Sequence, residues 1–235
     1  MHRENKESLP DNNRIYVSGR IAEEPGFSHE VYGEGFYNLK IEVARLSNIY
    51  DVLPVTVSER LMDLAALSQG TQATIWGQIR SYNSYVQSER KNRLLLSVFV
   101  RDLRLQDDGE PGSDADDGRR NPNDVFLNGY ICKPPTHRLT PFGREITDLL
   151  VAVNRSYNKS DYIPCIAWGR NSRYAGGLGI GNNIKIWGRM QSRGYQKKYD
   201  DGSVEDRVAY EVSVSKIETV EGAAELPDRI SVDNT

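Results

Sequence analysis

Aromatic and apolar residues alternate along Tyr162–Trp168, in a pattern that can present rings to a flat ligand. In a β-strand, Ile163 and Cys165 would face a core, because successive side chains point to opposite sides. Tyr162 and Trp168 would then lie at the two ends of the outer face. Rings in such positions are suited to stacking on nucleic-acid bases.

Cations and aromatic rings share one face of a second predicted strand, Asn183–Tyr195. Ile184 and Ile186 would face the core, and the opposite face would carry Lys185, Trp187, Arg189, Gln191, Arg193 and Tyr195. Cations neutralise phosphates and rings stack on bases, so this mixture suits a single nucleic-acid strand. A polar outer face with its rings packed beneath a neighbouring domain fits the same pattern.

The composition indicates an ordinary globular protein, with 27% charged and 38% hydrophobic residues among 235. This length favours two domains of about 100 residues each. No apolar run approaches the roughly 18 residues that span a bilayer, and the N-terminus is polar, so we expect a cytoplasmic protein without membrane contact. Cys132 and Cys165 lie in apolar strand patterns, which favours two buried thiols over a disulfide or metal pair.

The net charge of −3 hides an uneven distribution. Residues 124–217 contain 14 Lys and Arg against 9 Asp and Glu, a balance of +5. Residues 13–105 contain 11 against 10, a balance of +1. Much of the acid lies in the segment between them, at Asp107, Asp108, Glu110, Asp114, Asp116 and Asp117. The second half of the chain is therefore basic enough to bind a polyanion.

The sequence repeats itself at a constant offset. Identical residues lie 110 positions apart at Asn13 and Asn123, Gly19 and Gly129, Leu39 and Leu149, Arg45 and Arg155, Asp51 and Asp161, and Pro54 and Pro164. After one inserted residue, Ile75-Trp76-Gly77 matches Ile186-Trp187-Gly188. A constant offset over such a length indicates a tandem duplication.

Each copy is predicted to contain five strands and one short helix. In copy one the strands are Arg14–Ala22, Phe36–Leu46, Asp51–Val57, Thr71–Tyr82 and Arg93–Leu105, with a helix at Glu59–Ser68. In copy two they are Asp124–Ile131, Arg144–Arg155, Asp161–Trp168, Asn182–Tyr195 and Arg207–Ile217, with a helix near Asn171–Leu178.

This order predicts an all-β protein made of two tandem OB-fold barrels, each with the helix between strands 3 and 4. The predicted division is a disordered segment 1–12, a first OB domain 13–105, an acidic flexible linker 106–122, a second OB domain 123–218 and a disordered tail 219–235.

Copy two resembles the bacterial single-stranded DNA-binding protein family along nearly its whole length. The similar segments are NDVFLNGYI, RLTPFGREITDLLVAVNRSY, DYIPCIAWGR and IKIWGRMQSRGY. The resemblance implies four base-stacking positions, at Tyr157, Tyr162, Trp168 and Tyr195. Strand alternation marks the last three but puts Tyr157 on the core side, so its ring faces DNA only if the strand bends or bulges.

The predicted function is to bind and protect single-stranded DNA, without strong base preference, in replication, recombination or repair. The predicted phosphate contacts are Arg155, Lys185, Arg189, Arg193, Lys197 and Lys198. A secondary DNA contact is predicted on copy one, at Arg80, Tyr82 and Tyr85. A protein with this function would be nucleoid-associated.

Two departures from the family's pattern bear on this prediction. Copy one has Ser47, Val52 and Ser58 where copy two has Tyr157, Tyr162 and Trp168, which predicts a degenerate stacking face and a role in assembly. The chain ends ELPDRISVDNT, without the family's acidic Pro-Phe tail that recruits replication and repair proteins. Since relatives present four barrels per particle, two barrels per chain imply a homodimer.

An enzyme is not predicted, because His2, His29 and His137 are scattered and no spacing suggests a catalytic set, a metal site or a cofactor. GGLGIGN (residues 176–182) lacks the Lys-Ser/Thr of a phosphate loop. Two alternatives stay open: an OB-fold RNA-binding module, and a replication-restart (primosomal) protein whose barrels dock onto another protein.

Overall fold

The computed structural model describes residues 11–45, 47, 49–86, 91–105, 121–199 and 202–220, except for the side chains of Val86, Lys91 and Tyr157. The predicted N-terminal segment, linker and tail lie almost wholly outside the described residues. Among the described residues, no helix is both long and apolar enough to cross a membrane.

Barrel one is built from five strands. They are β1 (Asn13–Val31), β2 (Glu34–Ala44), β3 (Tyr50–Ser58), β4 (Gln72–Val86) and β5 (Lys91–Leu105). β1 pairs with both β2 and β4, β2 pairs with β3, β3 runs parallel to β5, and β4 pairs with β5. This circuit closes the sheet on itself.

Barrel two repeats the circuit with one additional strand. Its elements are β6 (Asn123–Ile131), β7 (Thr136–Leu139), β8 (Glu145–Asn154), β9 (Ser160–Trp168), α1 (Arg170–Gly176), β10 (Asn183–Lys198) and β11 (Val204–Thr219). β6 pairs with β8 and β10, β8 with β9, β9 in parallel with β11, and β10 with β11. The predicted all-β class and the two five-stranded OB-fold barrels are confirmed.

The helices differ between the barrels. The one predicted at Asn171–Leu178 is present as α1, but Glu59–Ser68 contains only a 3-10 helix at Leu64–Ala66, where Asp63 caps the amide of Ala65. Leu67 is buried while Leu61 is 41% exposed. The apolar residues of this segment are thus only partly buried, and packing does not offset the cost of nucleating an α-helix.

Several strands extend beyond their predicted ends. β1 continues to Val31 through exposed residues that pair with β2, and β7 pairs with β8 at the corresponding place in barrel two. All four residues of β7 are exposed, so neither segment shows the alternation by which strands are predicted.

A buried asparagine occupies the same place in each barrel. Asn13 donates to the carbonyl of Ile79 at 2.8 Å and accepts from its amide at 2.9 Å. Asn123 donates to the carbonyl of Met190 at 2.7 Å and accepts from its amide at 2.9 Å. A buried amide is stable only when its donors and acceptors are satisfied, so the duplication has kept a complete hydrogen-bonding unit.

The barrels are joined by antiparallel pairing of β1 with β6, which gives one sheet of 11 strands. Asn13 pairs with Leu127, Ile15 with Val125, and Val17 with Asn123. Because these pairs are symmetric about Ile15 and Val125, the two copies meet through the same strand in the same register. This joint fixes the side of each barrel that remains available to a ligand.

Candidate nucleic-acid interface

Three of the four predicted stacking residues have described side chains, and all three rings are partly exposed. Tyr162 on β9 is 39% exposed, Trp168 at the end of β9 is 38% exposed, and Tyr195 on β10 is 37% exposed. Values between burial and full exposure leave a ring face available while part of the ring is held by its neighbours. Trp168 pairs across the ladder with the buried Ile146.

Tyr157 lies in a 3-10 turn, Ser156–Asn158, between β8 and β9, and its side chain lies outside the described residues. β8 ends at Asn154, and Asn158 has a positive φ of 55°. Because the strand has ended before Tyr157, strand parity does not place its ring on the core side. The bend that the resemblance requires is therefore present in the backbone.

The β10–β11 hairpin carries a further aromatic residue, Tyr199, which the sequence analysis missed. Its hydroxyl donates to Glu205, and this hydrogen bond raises the pKa of Tyr199. The ammonium of Lys197 lies 4.4 Å from the centre of the Tyr199 ring, and the guanidinium of Arg193 lies 5.9 Å from that of Tyr195. A cation–aromatic mixture follows one hairpin arm, four residues beyond the predicted stacking site.

The predicted phosphate contacts fall into two groups. Lys185 and Lys198 have no ion pair within the part of the chain that the structure describes, and Lys198 is exposed. Arg193 keeps half of its side chain exposed beside Glu211, at 3.3 Å. Lys185, Lys198 and the exposed half of Arg193 are therefore available to a polyanion.

Arg155 and Arg189 form the second group, and both are held by buried aspartates. Asp161 is fully buried and accepts from Arg155 Nε at 2.5 Å, from Arg80 Nη1 at 3.1 Å and from the Ser81 amide at 2.6 Å. Arg80 and Ser81 belong to barrel one, whereas Asp161 and Arg155 belong to barrel two. This cluster therefore joins the barrels, and Arg80, predicted as a DNA contact, is part of it.

Asp51 forms the reciprocal cluster. It is 1% exposed and accepts from Arg45 Nε at 2.8 Å, from Arg189 Nη1 at 2.7 Å and from the Ser192 amide at 2.8 Å. Burial lowers the pKa of Arg80 and of Arg189, while the hydrogen bond to Asp51 raises that of Arg45. We call these two clusters the aspartate clamps. Each clamp pairs an aspartate of one barrel with an arginine of the other.

The predicted contacts on copy one are exposed at two positions, Tyr82 at 48% and Tyr85 at 62%. The positions that match the stacking residues serve other purposes. Ser58 is buried and donates to Glu34, and the amide of Val52 donates to Ser192 Oγ of barrel two at 3.1 Å.

Both cysteines have free thiols, and burial raises the pKa of each. Cys165 is buried, as predicted, whereas Cys132 is only half-buried and donates to the carbonyl of Leu150 at 3.2 Å. Across the described ranges, no group of three or more His, Cys, Asp or Glu side chains is placed to hold a metal ion.

Comparisons with known proteins agree with this architecture. Residues 122–220 match the model of the single-strand binding protein family. Single-stranded DNA-binding protein A of Bacillus subtilis is 32% identical over 83 residues, which cover 32% of this chain and 48% of that protein. The chain thus spans about half the length of several curated relatives that it matches.

Two Thermus proteins match most of the chain. The single-stranded DNA-binding protein of Thermus thermophilus is 24% identical over 221 residues, covering 83% of this chain and 81% of that protein. The crystal structure of the wild-type Thermus aquaticus protein superimposes with a TM-score of 0.67 at 19% identity, over 92% of this chain and 96% of that one. This likeness shows that the two-barrel fold is shared.

Proposed function

We propose that the chain binds single-stranded DNA, mainly on barrel two, from the premise that residues 122–220 match the model of the single-strand binding protein family. The observation that carries the proposal is the set of three partly exposed rings in the family-matched barrel, Tyr162, Trp168 and Tyr195. Lys185 and Lys198, which have no ion pair among the described residues, lie on the same strand as Tyr195. Protection of single strands during replication, recombination or repair is the role that such binding serves.

The proposed mechanism divides the work between rings and cations. Tyr157, Tyr162, Trp168 and Tyr195 stack on bases, and each contributes about 1–3 kcal/mol. Lys185, Arg193, Lys197 and Lys198 neutralise phosphates and release counterions. Arg155 and Arg189 act indirectly, since their guanidinium groups hold the barrels in place through the aspartate clamps. Every base has a stacking face, so little base preference follows.

Single-stranded and duplex DNA of the same length test the proposal. Fluorescence anisotropy with labelled oligo-dT should show tight binding that weakens as salt is added, because phosphate contacts displace counterions. A duplex should bind much more weakly, because its bases are already stacked and its edges are not open to the rings. Equal affinity for the two at matched salt contradicts the proposal.

We also propose that two chains assemble into a homodimer with four barrels. Four rings lie in two pairs on the outer face of the sheet that joins the barrels. The ring centres of Tyr16 and Trp76 are 5.6 Å apart, and those of Phe126 and Trp187 are 5.3 Å apart. The symmetric pairing of β1 with β6 makes this face nearly self-complementary, as a two-fold interface requires. Light scattering should give twice the 26.6 kDa of one chain. A mass of one chain in a concentrated solution excludes the dimer.

A further inference from the structure

Barrel one has a broad groove of about 1190 Å³ on the face turned towards the β8–β9 turn of barrel two. We call it the cationic groove, and its lining includes His29, Asn38, Arg80, Phe99, Arg101 and Lys159. None of the described residues that line it is Asp or Glu. The side-chain amide of Asn12 donates to the backbone carbonyl of Asn154 at 2.8 Å, and this hydrogen bond links the two barrels at the groove.

A row of flat groups follows one wall of the groove, in which His29, Phe99 and Arg101 line the groove and Phe36 lies between His29 and Phe99. His29 lies parallel to Phe36, with ring centres 5.0 Å apart and 12° between the planes. The ring centres of Phe36 and Phe99 are 5.8 Å apart, and the guanidinium of Arg101 lies 5.1 Å from the centre of the Phe99 ring. Aromatic rings and arginine planes are the two kinds of surface on which unpaired bases stack.

The positive charge of this wall is incompletely balanced. Arg80 has Asp161, but Arg101 donates only to the neutral Gln78 Oε1, at 3.2 Å, which also accepts from Arg80 at 2.6 Å. Burial and the charge of Arg155 lower the pKa of Arg80, and burial lowers that of Arg101. Lys159 has no side-chain partner in the described part of the chain. An anion placed here would relieve this repulsion.

Barrel two has acidic residues at the matched ladder positions. Asp148 of barrel two takes the place of Asn38 of barrel one, and Glu211 takes the place of Ser97. The ladder partners that establish these matches are Ile166 and Thr56 for the first pair, and Gln191 and Arg80 for the second. Asp148 binds Arg138 at 2.7 Å, and Glu211 accepts from Gln191 at 2.8 Å. The carboxylates that neutralise this face in barrel two are thus absent from barrel one.

The aromatic residues have also moved. Phe36 pairs with Ser58 in barrel one, while Ile146 pairs with Trp168 in barrel two. Directly paired residues lie on the same face of the sheet. Barrel one therefore keeps an aromatic ring at this pair, but the ring is on β2 and not on β9 as in barrel two. Phe99 pairs with Gln78 where Ser213 pairs with Arg189, which adds a second ring in barrel one only.

We propose that the cationic groove binds one nucleotide unit of the DNA strand, with its base on the Phe99–Arg101 stack and its phosphate beside Arg101 and Lys159. The proposal rests on the proposed single-strand binding and adds a site built from residues unrelated to the four stacking positions of barrel two. Asn38 Oδ1 accepts from Thr56 at 3.0 Å, which leaves the Asn38 amide hydrogens to donate to a base.

Photocrosslinking of the full chain to oligonucleotides that contain 5-iododeoxyuridine tests the position directly. Crosslinks should map to His29 or Phe99 as well as to the rings of barrel two. Crosslinks confined to barrel two overturn the groove site and leave the proposed function intact. A chain that binds no single strand at all refutes both.

Substitutions that introduce the residues of barrel two measure the contribution of the groove. Arg101→Ser introduces at this exposed position the serine that barrel two has at the matched Ser215, and circular dichroism checks that the variant folds. Affinity for a long oligo-dT should fall about tenfold, as expected for one lost stacking and phosphate contact. Arg20→Ser, which removes an exposed cation outside the groove, is the control and should leave affinity unchanged.

Asn38→Asp introduces the carboxylate of barrel two and should also weaken binding to oligo-dT about tenfold. Equal affinity of Arg101→Ser, Asn38→Asp and the unmodified chain for oligo-dT overturns the proposal. The proposal is also overturned if Arg101→Ser abolishes binding of an oligo-glutamate peptide and leaves the affinity for oligo-dT unchanged. The groove would then bind an acidic protein segment and not DNA.

Discussion

The two barrels are alike where they close and join, and differ where they face outward. Both have the same strand circuit, the same buried asparagine and an aspartate clamp. On the outer face, barrel two combines Trp168 with ion-paired acids, while barrel one combines Phe99 with Arg101, which has no acidic partner in the described part of the chain. The two copies have therefore kept the contacts that close and join the barrels. They differ in the side chains that the outer faces present to a ligand.

The clamps show that what has been kept is the ion pair and not the residue position. Ladder pairing matches Gln78 with Arg189, and Arg80 with Gln191. Arginine and glutamine have thus exchanged places, yet each arginine reaches the aspartate of the other barrel and also binds its own glutamine, at 2.6 Å and 3.0 Å. Residues two apart in a strand share a face, so the exchange keeps the pairing possible.

The largest effect is expected from breaking a clamp. Asp161→Ala removes the acceptor of two arginines and one amide, and should lower the free energy of unfolding by about 3–5 kcal/mol, because it leaves partly buried cations unpaired. Asp51→Ala should cost about the same, since its partners are equivalent. Urea denaturation followed by circular dichroism measures both.

Asp148→Ala is the matched control for the clamps. Its ion pair with Arg138 lies at the surface, with 41% of the Asp148 side chain exposed, and should contribute at most about 1 kcal/mol. If Asp161→Ala is no more destabilising than Asp148→Ala, the clamps do not hold the barrels together. If only one of the two clamp variants is destabilised, the equivalence of the barrels at this joint is wrong.

Much of the fold could be predicted from the sequence, because strand alternation and a constant repeat offset are local signals. The clamps could not. Arg189 lies 138 residues from Asp51, and alternation shows which side of a strand it occupies but not what covers that side. The cation pattern of β10 therefore predicts phosphate contacts without separating Arg189, which binds Asp51 of the other barrel, from the remaining cations.

The cationic groove was missed for a related reason. Phe99 lies in the run LLLSVFV, which is typical of a buried strand, and Phe36 stands at the start of a predicted strand. His29 lies in the exposed extension of β1, which has no apolar alternation. The three rings come together only because β1 extends along β2 and β3 runs parallel to β5, and neither contact leaves a local signal in the sequence.

A smaller effect than that of the clamps is expected from single aromatic substitutions, and it separates the two barrels most directly. Trp168→Ala should weaken oligo-dT binding by about 1–3 kcal/mol, the range of one stacked base, without a loss of stability, because the ring is partly exposed. Tyr85→Ala, at a ring that is 62% exposed on barrel one, should cost less, since it supports no part of the proposed main platform.

Anisotropy titrations of the full chain at one salt concentration compare the two variants, and denaturation checks that both fold. A loss for Tyr85→Ala equal to that for Trp168→Ala would show that barrel one stacks bases on β4 as strongly as barrel two does on β9, and would place the main path of the strand across both barrels.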